Sequence, residues 1–326
     1  MNPTTTRPGP QPITAECFPT PGLILRTNDP SAQRTLREFA HEQAAAARSL
    51  REILSEKLPE ARDVDERGAV FTTVFEATED WRYRIAATMP HSTGRYGAGH
   101  VERFRTPIAD DNRNLFRIGE HERLREGVDW DSITRTYTGG TETPASRTMR
   151  RFGALAAARF AQSPGADIVS NRVTLPDGRV VHGMRLLRAD AARHAAAEMA
   201  ARIAARGGDT SRIVTDGDLI YIASAPETDR RTIFHSAMAL LAHDHTTPAD
   251  ATIAWAEAAY LLYQAPRRKR GSDATTRTFL VAIGALLLAH PPVLLHDVDL
   301  RAYIRSQVQF VAELRAAQDR GVGAAP

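Results

Sequence analysis

The C-terminal third constrains the fold most. From Pro226 onward the chain reads as consecutive helices over 228–243, 249–264, 272–288 and 299–318, which predicts a helical bundle. The stripe Trp255, Ala259 and Leu262 falls at helical spacing and is expected in the core of that bundle rather than around a cofactor. The strongest apolar run, 279–295, contains His290 and is interrupted by Pro291 and Pro292. It falls short of the roughly 20 apolar residues that a membrane span needs.

Upstream the signals are mixed. Residues 1–22 are rich in Pro and Thr and lack an apolar core, so they are expected to be a flexible start and not a signal peptide. Asp29-Pro30-Ser31 marks a helix start, and Leu36, Phe39, Ala40, Ala47, Leu50 and Leu54 share one face of a helix ending near Lys57, with Gln43 as its polar interruption. Residues 69–89 mix β-branched and aromatic side chains with polar alternation and are expected as strands. Residues 106–146 show no clean period. Pro176-Asp177-Gly178 between two apolar runs predicts a hairpin over 172–182, followed by an alanine-rich helix over 189–206 that Gly207 and Gly208 stop. A second hairpin is expected over 213–222, turning at Asp216-Gly217. The expected fold is α+β and predominantly helical: a flexible 1–22, a mixed α/β region with hairpins over 23–188, and a helical bundle over 189–326.

Composition narrows the function classes. All but two of the 42 basic residues are arginine, the exceptions being Lys57 and Lys269, and alanine is abundant, a pattern of high-GC bacterial coding. The formal charge is +3, and acidic residues are interspersed throughout, so the high isoelectric point reflects arginine rather than a basic patch and nucleic acid is not favoured as a partner. The single Cys17 excludes an internal disulfide and a thiolate-cluster metal site, which fits a reducing compartment. A cytoplasmic chain, without membrane association and compatible with a homodimer, is expected.

The most chemically loaded stretch is 89–105. His91 and His100 are candidate general acids or bases, and Glu102 is a candidate base or orienting group. Tyr96 is a candidate substrate contact, and Arg82 or Arg84 could grip a substrate carboxylate. The bland alternative is a decorated surface loop. No metal is assigned: His194 and Glu198 share a helix face, and His235, His243 and His245 flank another helix end, but no third ligand is identifiable. A haem would need one axial histidine in an apolar pocket, for which His194, His235 and His290 are the candidates. No cofactor is assigned.

A second candidate lies at residues 265–277. Gly271 opens a helix after Arg267, Arg268, Lys269 and Arg270, with Ser272 following and Arg277 about one and a half turns further on. Backbone N–H groups and the positive end of the helix dipole would favour a phosphate or carboxylate there. The alternative is an ordinary cap at Ser272 or Asp273, with Arg277 paired to a nearby acid.

The order of helix, glycine stop, hairpin, proline and packed helices from Gly207-Gly208-Asp209-Thr210-Ser211-Arg212 onward resembles the core of the Fic/Doc family. The segment matching that family's signature is 265–277. Gly271 and Arg277 stand at its first glycine and last arginine, whereas Ser272 replaces the asparagine, Asp273 the second glycine and Ala274 the first arginine. Ala265 stands near the place of the histidine base, and no acid supplies the magnesium ligand. Fic proteins mostly transfer AMP from ATP to a protein hydroxyl, so the resemblance implies a chain that lacks the base for that step. The expectation that follows is an enzyme of specialised metabolism performing acid/base chemistry on an anionic, amino-acid-like small molecule. The alternatives are a degenerate Fic-type protein that binds a nucleotide or a partner, and a haem- or metal-dependent oxygenase.

Overall fold

The computed structural model describes residues 11–88 and 100–323. The fold is α+β and predominantly helical, with nine α-helices and two small antiparallel sheets among the described residues. No helix among them is long and apolar enough to cross a membrane.

Helix α1 (Pro30–Lys57) starts where the sequence places it. Asp29 accepts from the N–H groups of Ser31 and Ala32, and Pro30 occupies the first turn. Its face of Ala40, Ala44, Ala47, Leu50 and Leu54 is buried. Helix α2 (Val64–Thr88) corrects the strands expected over 69–89. Phe71, Val74, Phe75 and Thr78 are buried at helical spacing, and the Phe75 ring packs edge-on at 5.1 Å from Phe234 and 5.0 Å from Phe279. Helical packing of that stripe overrides the β-propensity of its members.

Strand β1 (Leu115–Ile118) belongs to the stretch without a clean period. That stretch also holds the ribbon β2 (Glu126–Asp131) and β3 (Thr136–Thr141), and the capping box of Thr143 and Ser146 that starts α3 (Pro144–Ala161). The first predicted hairpin is present as β4 (Ile168–Thr174) and β5 (Val180–Leu187), turning at Gly178 with φ +85°. Helix α4 (Ala189–Ala204) stops at Gly207, with φ +69°, and the Gly208 N–H donates back to the Ile203 carbonyl at 2.9 Å.

The second expected hairpin does not form. Only β6 (Ile220–Ala223) is a strand, and it pairs antiparallel with β1 on one side and β5 on the other, giving the order β1-β6-β5-β4. Tyr221 and Ala223 point to α4 while Ile222 points to α3, so both faces of β6 are covered and its partners come from distant segments.

Helices α5 (Glu227–Ala242), α6 (Pro248–Gln264) and α7 (Ser272–Leu287) follow the sequence reading. The single helix expected over 299–318 is two, α8 (Val298–Ile304) and α9 (Gln307–Gly323). Arg305 is extended between them, and Ser306 accepts from the Gln309 N–H at the new start. Trp255, Ala259 and Leu262 are buried, the indole N–H donating to the Leu280 carbonyl. One apolar core joins α1 and α2 to α5, α6 and α7, so it crosses the division expected at 188/189. Ile13, Cys17 and Phe18 are buried in it, although the sequence suggested a flexible start there.

Candidate functional site

The turn between α6 and α7 sorts its four cations by direction. Its backbone is tied to the segment before β1, the Ile108 N–H donating to the Arg267 carbonyl and the Lys269 N–H to the Thr106 carbonyl. Arg267 reaches Glu76 and Arg268 reaches Glu79, both on α2, at 3.0 and 2.8 Å. Lys269 and Arg270 line a cavity on the opposite side, walled by the C-terminal half of α4, by β1 and by residues 112–114.

That cavity, about 360 Å³ in volume, is lined by nine cationic side chains: Arg26, Arg103, Arg113, Arg123, Arg202, Arg206, Arg212, Lys269 and Arg270. Asp209 is the one carboxylate among the described residues of its lining. Behind the wall, Glu198 pairs with Arg113 at 2.7 Å and Arg202 at 2.5 Å, and Glu120 pairs with Arg123 at 3.3 Å. The excess of positive charge in one concavity corrects the expectation that the chain has no basic patch. These residues come from several well-separated segments, so most of their convergence has no local trace in the sequence.

Lys269 is half-buried in the wall of the cleft. Its Nζ donates to the Asn112 carbonyl and side chain and to the Arg113 carbonyl, at 2.7, 3.0 and 2.8 Å. Burial, with Arg202, Arg103 and Arg206 nearby, pushes its pKa down to about 7. The two observations pull in opposite directions, because three acceptors are satisfied together only by the ammonium form. The geometry favours a charged Lys269 held with a narrow margin. An anion in the cleft would widen that margin.

A smaller pocket of about 250 Å³ shares Arg103, Asn114, Leu115, Phe116 and Lys269 with the cleft, so the two are contiguous. Leu23, Met184, Ile222 and Leu300 give it apolar walls, and Ser272, Asp299 and Tyr303 are its remaining polar lining. Burial, reinforced by the neighbouring Asp273, raises the Asp299 carboxyl to about 7.

The residues singled out from the sequence divide. Arg277 is 1% exposed, and its guanidinium donates to Asp273 at 2.8 Å and to the Leu295 and His296 carbonyls at 3.0 and 3.1 Å. It is a structural clamp, paired to a nearby acid as in the alternative that the sequence left open beside an anion-binding role. Gly271, with φ +81°, precedes α7, and a Cβ there would come within 2.7 Å of Phe104 and 2.9 Å of Arg82. Ser272 donates to the Arg268 carbonyl and lines the smaller pocket. His100 accepts at Nδ1 from Arg270 at 3.0 Å, and Glu102 accepts from the Tyr83 hydroxyl. Arg82 lies 4.5 Å from the Phe104 ring centre, its Nε and Nη1 have no hydrogen-bond partner among the described residues, and burial beside Arg270 lowers its pKa to about 10.

Phe104 and Arg270 thus bring Arg82, His100 and Gly271 together at the edge of the cleft, whereas Arg84 is exposed elsewhere on α2. His91 and Tyr96 lie outside the described residues. His194 and His235 are exposed rather than set in an apolar pocket, and Glu198 is committed to arginines. No group of three or more His, Cys, Asp or Glu side chains that could hold a metal occurs among the described residues.

The sequence reading missed Arg113, Arg202, Arg206 and Asp299. The i,i+4 pair Arg202 and Arg206 ahead of Arg212 was the one signal available. No protein-family model matches the chain, and no curated protein matches it.

Proposed function

We propose that the chain is an enzyme acting on a small phosphorylated molecule, whose phosphate binds the basic cleft while the reacting part enters the adjoining pocket. The observation that carries this reading is the lining of the cleft, nine cations around a cavity of about 360 Å³ with one carboxylate among them. Cations of one sign in a concave site focus the field and recruit anions, and guanidinium groups suit phosphate geometry. Asp299 is the candidate acid/base group, its carboxyl raised by burial in a pocket that adjoins the cleft. The proposed substrate is again anionic, with the cleft arginines as its docking point in place of Arg277, while Lys269, whose donors are spent on residues 112 and 113, adds positive charge beside them.

The test is a calorimetric titration with pyrophosphate. Binding that weakens about tenfold in Arg206→Ala, and falls steeply with added salt, is expected. Absence of binding at millimolar pyrophosphate in low salt would overturn the reading.

A second reading, a degenerate Fic-type nucleotide-binding protein, is favoured by one feature. Gly271 opens α7 directly after two cations of the cleft, in the segment that carries the resemblance. Binding of a nucleoside triphosphate without turnover, and much tighter than pyrophosphate, would select it.

A further inference from the structure

The two contiguous cavities differ in charge. The larger has nine cations in its lining, whereas the smaller has only two of these, Arg103 and Lys269, together with the Asp299 carboxylate and apolar walls. The neighbours of that carboxylate are already committed. Asp273 accepts from Arg277 and from the Tyr263 hydroxyl at 3.2 Å, and Arg277 spends its remaining donors on two carbonyls. Lys269, which lines both cavities, holds three acceptors of residues 112 and 113. No ion pair to Asp299 is present among the described residues, while Asp273 and Asp297 add negative potential beside it. An ionised Asp299 therefore has no direct ion pair among the described residues, the Arg277 charge beside it being shared with Asp273, and a buried charge without a direct partner is costly.

Resting on the phosphate reading of the cleft, we infer that the ligand is a phosphorylated amine, with its phosphate among the cleft arginines and its ammonium group on the Asp299 carboxylate. A short hydrocarbon or ring between the two ends suits the apolar wall of Leu23, Met184, Ile222 and Leu300. A ligand charged oppositely at its two ends satisfies both cavities at once. A simple dianion would satisfy only the larger one.

The experiment titrates the full chain with pyrophosphate, with n-alkyl phosphates, and with ω-aminoalkyl phosphates of two to six carbons. At one chain length the amine is expected to bind at least about tenfold more tightly than its alkyl counterpart, and Asp299→Asn is expected to erase that advantage. Pyrophosphate binding with no amine advantage at any length overturns the inference and leaves the cleft reading standing. An amine advantage that survives in folded Asp299→Asn overturns it too. Failure of pyrophosphate to bind removes the cleft reading and this inference with it. The comparison of amine with alkyl phosphate in the unaltered chain decides the matter even where the variant does not fold.

Discussion

Arg277 and Asp273, one turn apart at the start of α7, are joined by two bonds from Nε, at 2.8 and 2.9 Å, and the same guanidinium ties α7 to the carbonyls of residues 295 and 296. The arginine fastens the approach to α8 onto α7, and through it fixes where Asp299 stands. Removing it takes a donor from the His296 carbonyl and leaves Asp273 with the Tyr263 hydroxyl and the Leu295 carbonyl with the Val298 N–H. Arg277→Ala is expected to lower unfolding stability by about 3 kcal/mol or more in a denaturant melt. Arg277→Lys should restore little, because one ammonium cannot serve three acceptors placed for a planar fork. A stability loss under about 1 kcal/mol in the alanine variant would contradict the clamp.

Gly271 is the one glycine whose conformation and surroundings both resist substitution next to the cleft. Its φ of +81° is unfavourable for an L side chain, and an added Cβ would run into Phe104 and the Arg82 stem. Gly271→Ala is expected to cost on the order of 1–3 kcal/mol and to weaken pyrophosphate binding, since the turn that aims Lys269 and Arg270 must shift. Unchanged melting and affinity together would show that the turn tolerates the change.

What was legible in the sequence was local. The Asp29-Pro30 start of α1, the Pro-Asp-Gly turn and the Gly207 stop are all decided within a few residues, and each stands where its signal put it. The misread elements depended on partners elsewhere. Residues 213–215 lack strand pairing because β6 is claimed by β1, about a hundred positions earlier in the chain. The cleft was illegible for the same reason: residues 103, 113, 202, 206, 269 and 270 are neighbours only after folding. Of the basic run 267–270, two arms turn to acids on α2 and two line the cleft, a division that the sequence does not show.

The helical state of 69–88 can be tested directly. Phe75 sits between Phe234 and Phe279, and its burial is what makes a β-prone stretch helical. Phe75→Ala is expected to destabilise the chain by about 3–5 kcal/mol through lost transfer energy and the cavity left behind. Phe75→Leu, which keeps most of the volume, should cost clearly less. Equal costs for the two variants would mean that the packed ring is not what holds α2.

Asp299 and Lys269 should give the stability a pH signature. The carboxyl titrates near 7 in the folded chain against 3.8 as its ordinary value, so between those limits the folded state holds a proton that the unfolded state has released. The contribution of Asp299 is therefore greatest below about pH 4 and is lost as the pH rises to 7. Lys269 has the opposite sign. Its folded pKa near 7 lies below the ordinary 10.5, so the unfolded chain holds the extra proton above 7, and stability is regained as the pH climbs toward 10.5. Together the two groups produce a minimum near neutrality. Other carboxylates add their own acid limb, so the readout is the difference between variant and parent melting curves measured from pH 4 to 10. Asp299→Asn should remove a falling component below 7, and Lys269→Met a rising component above it. Pyrophosphate should flatten the Lys269 limb, because a bound anion holds the ammonium charged. Difference curves that stay level across the whole range would show that neither group is perturbed in the folded chain.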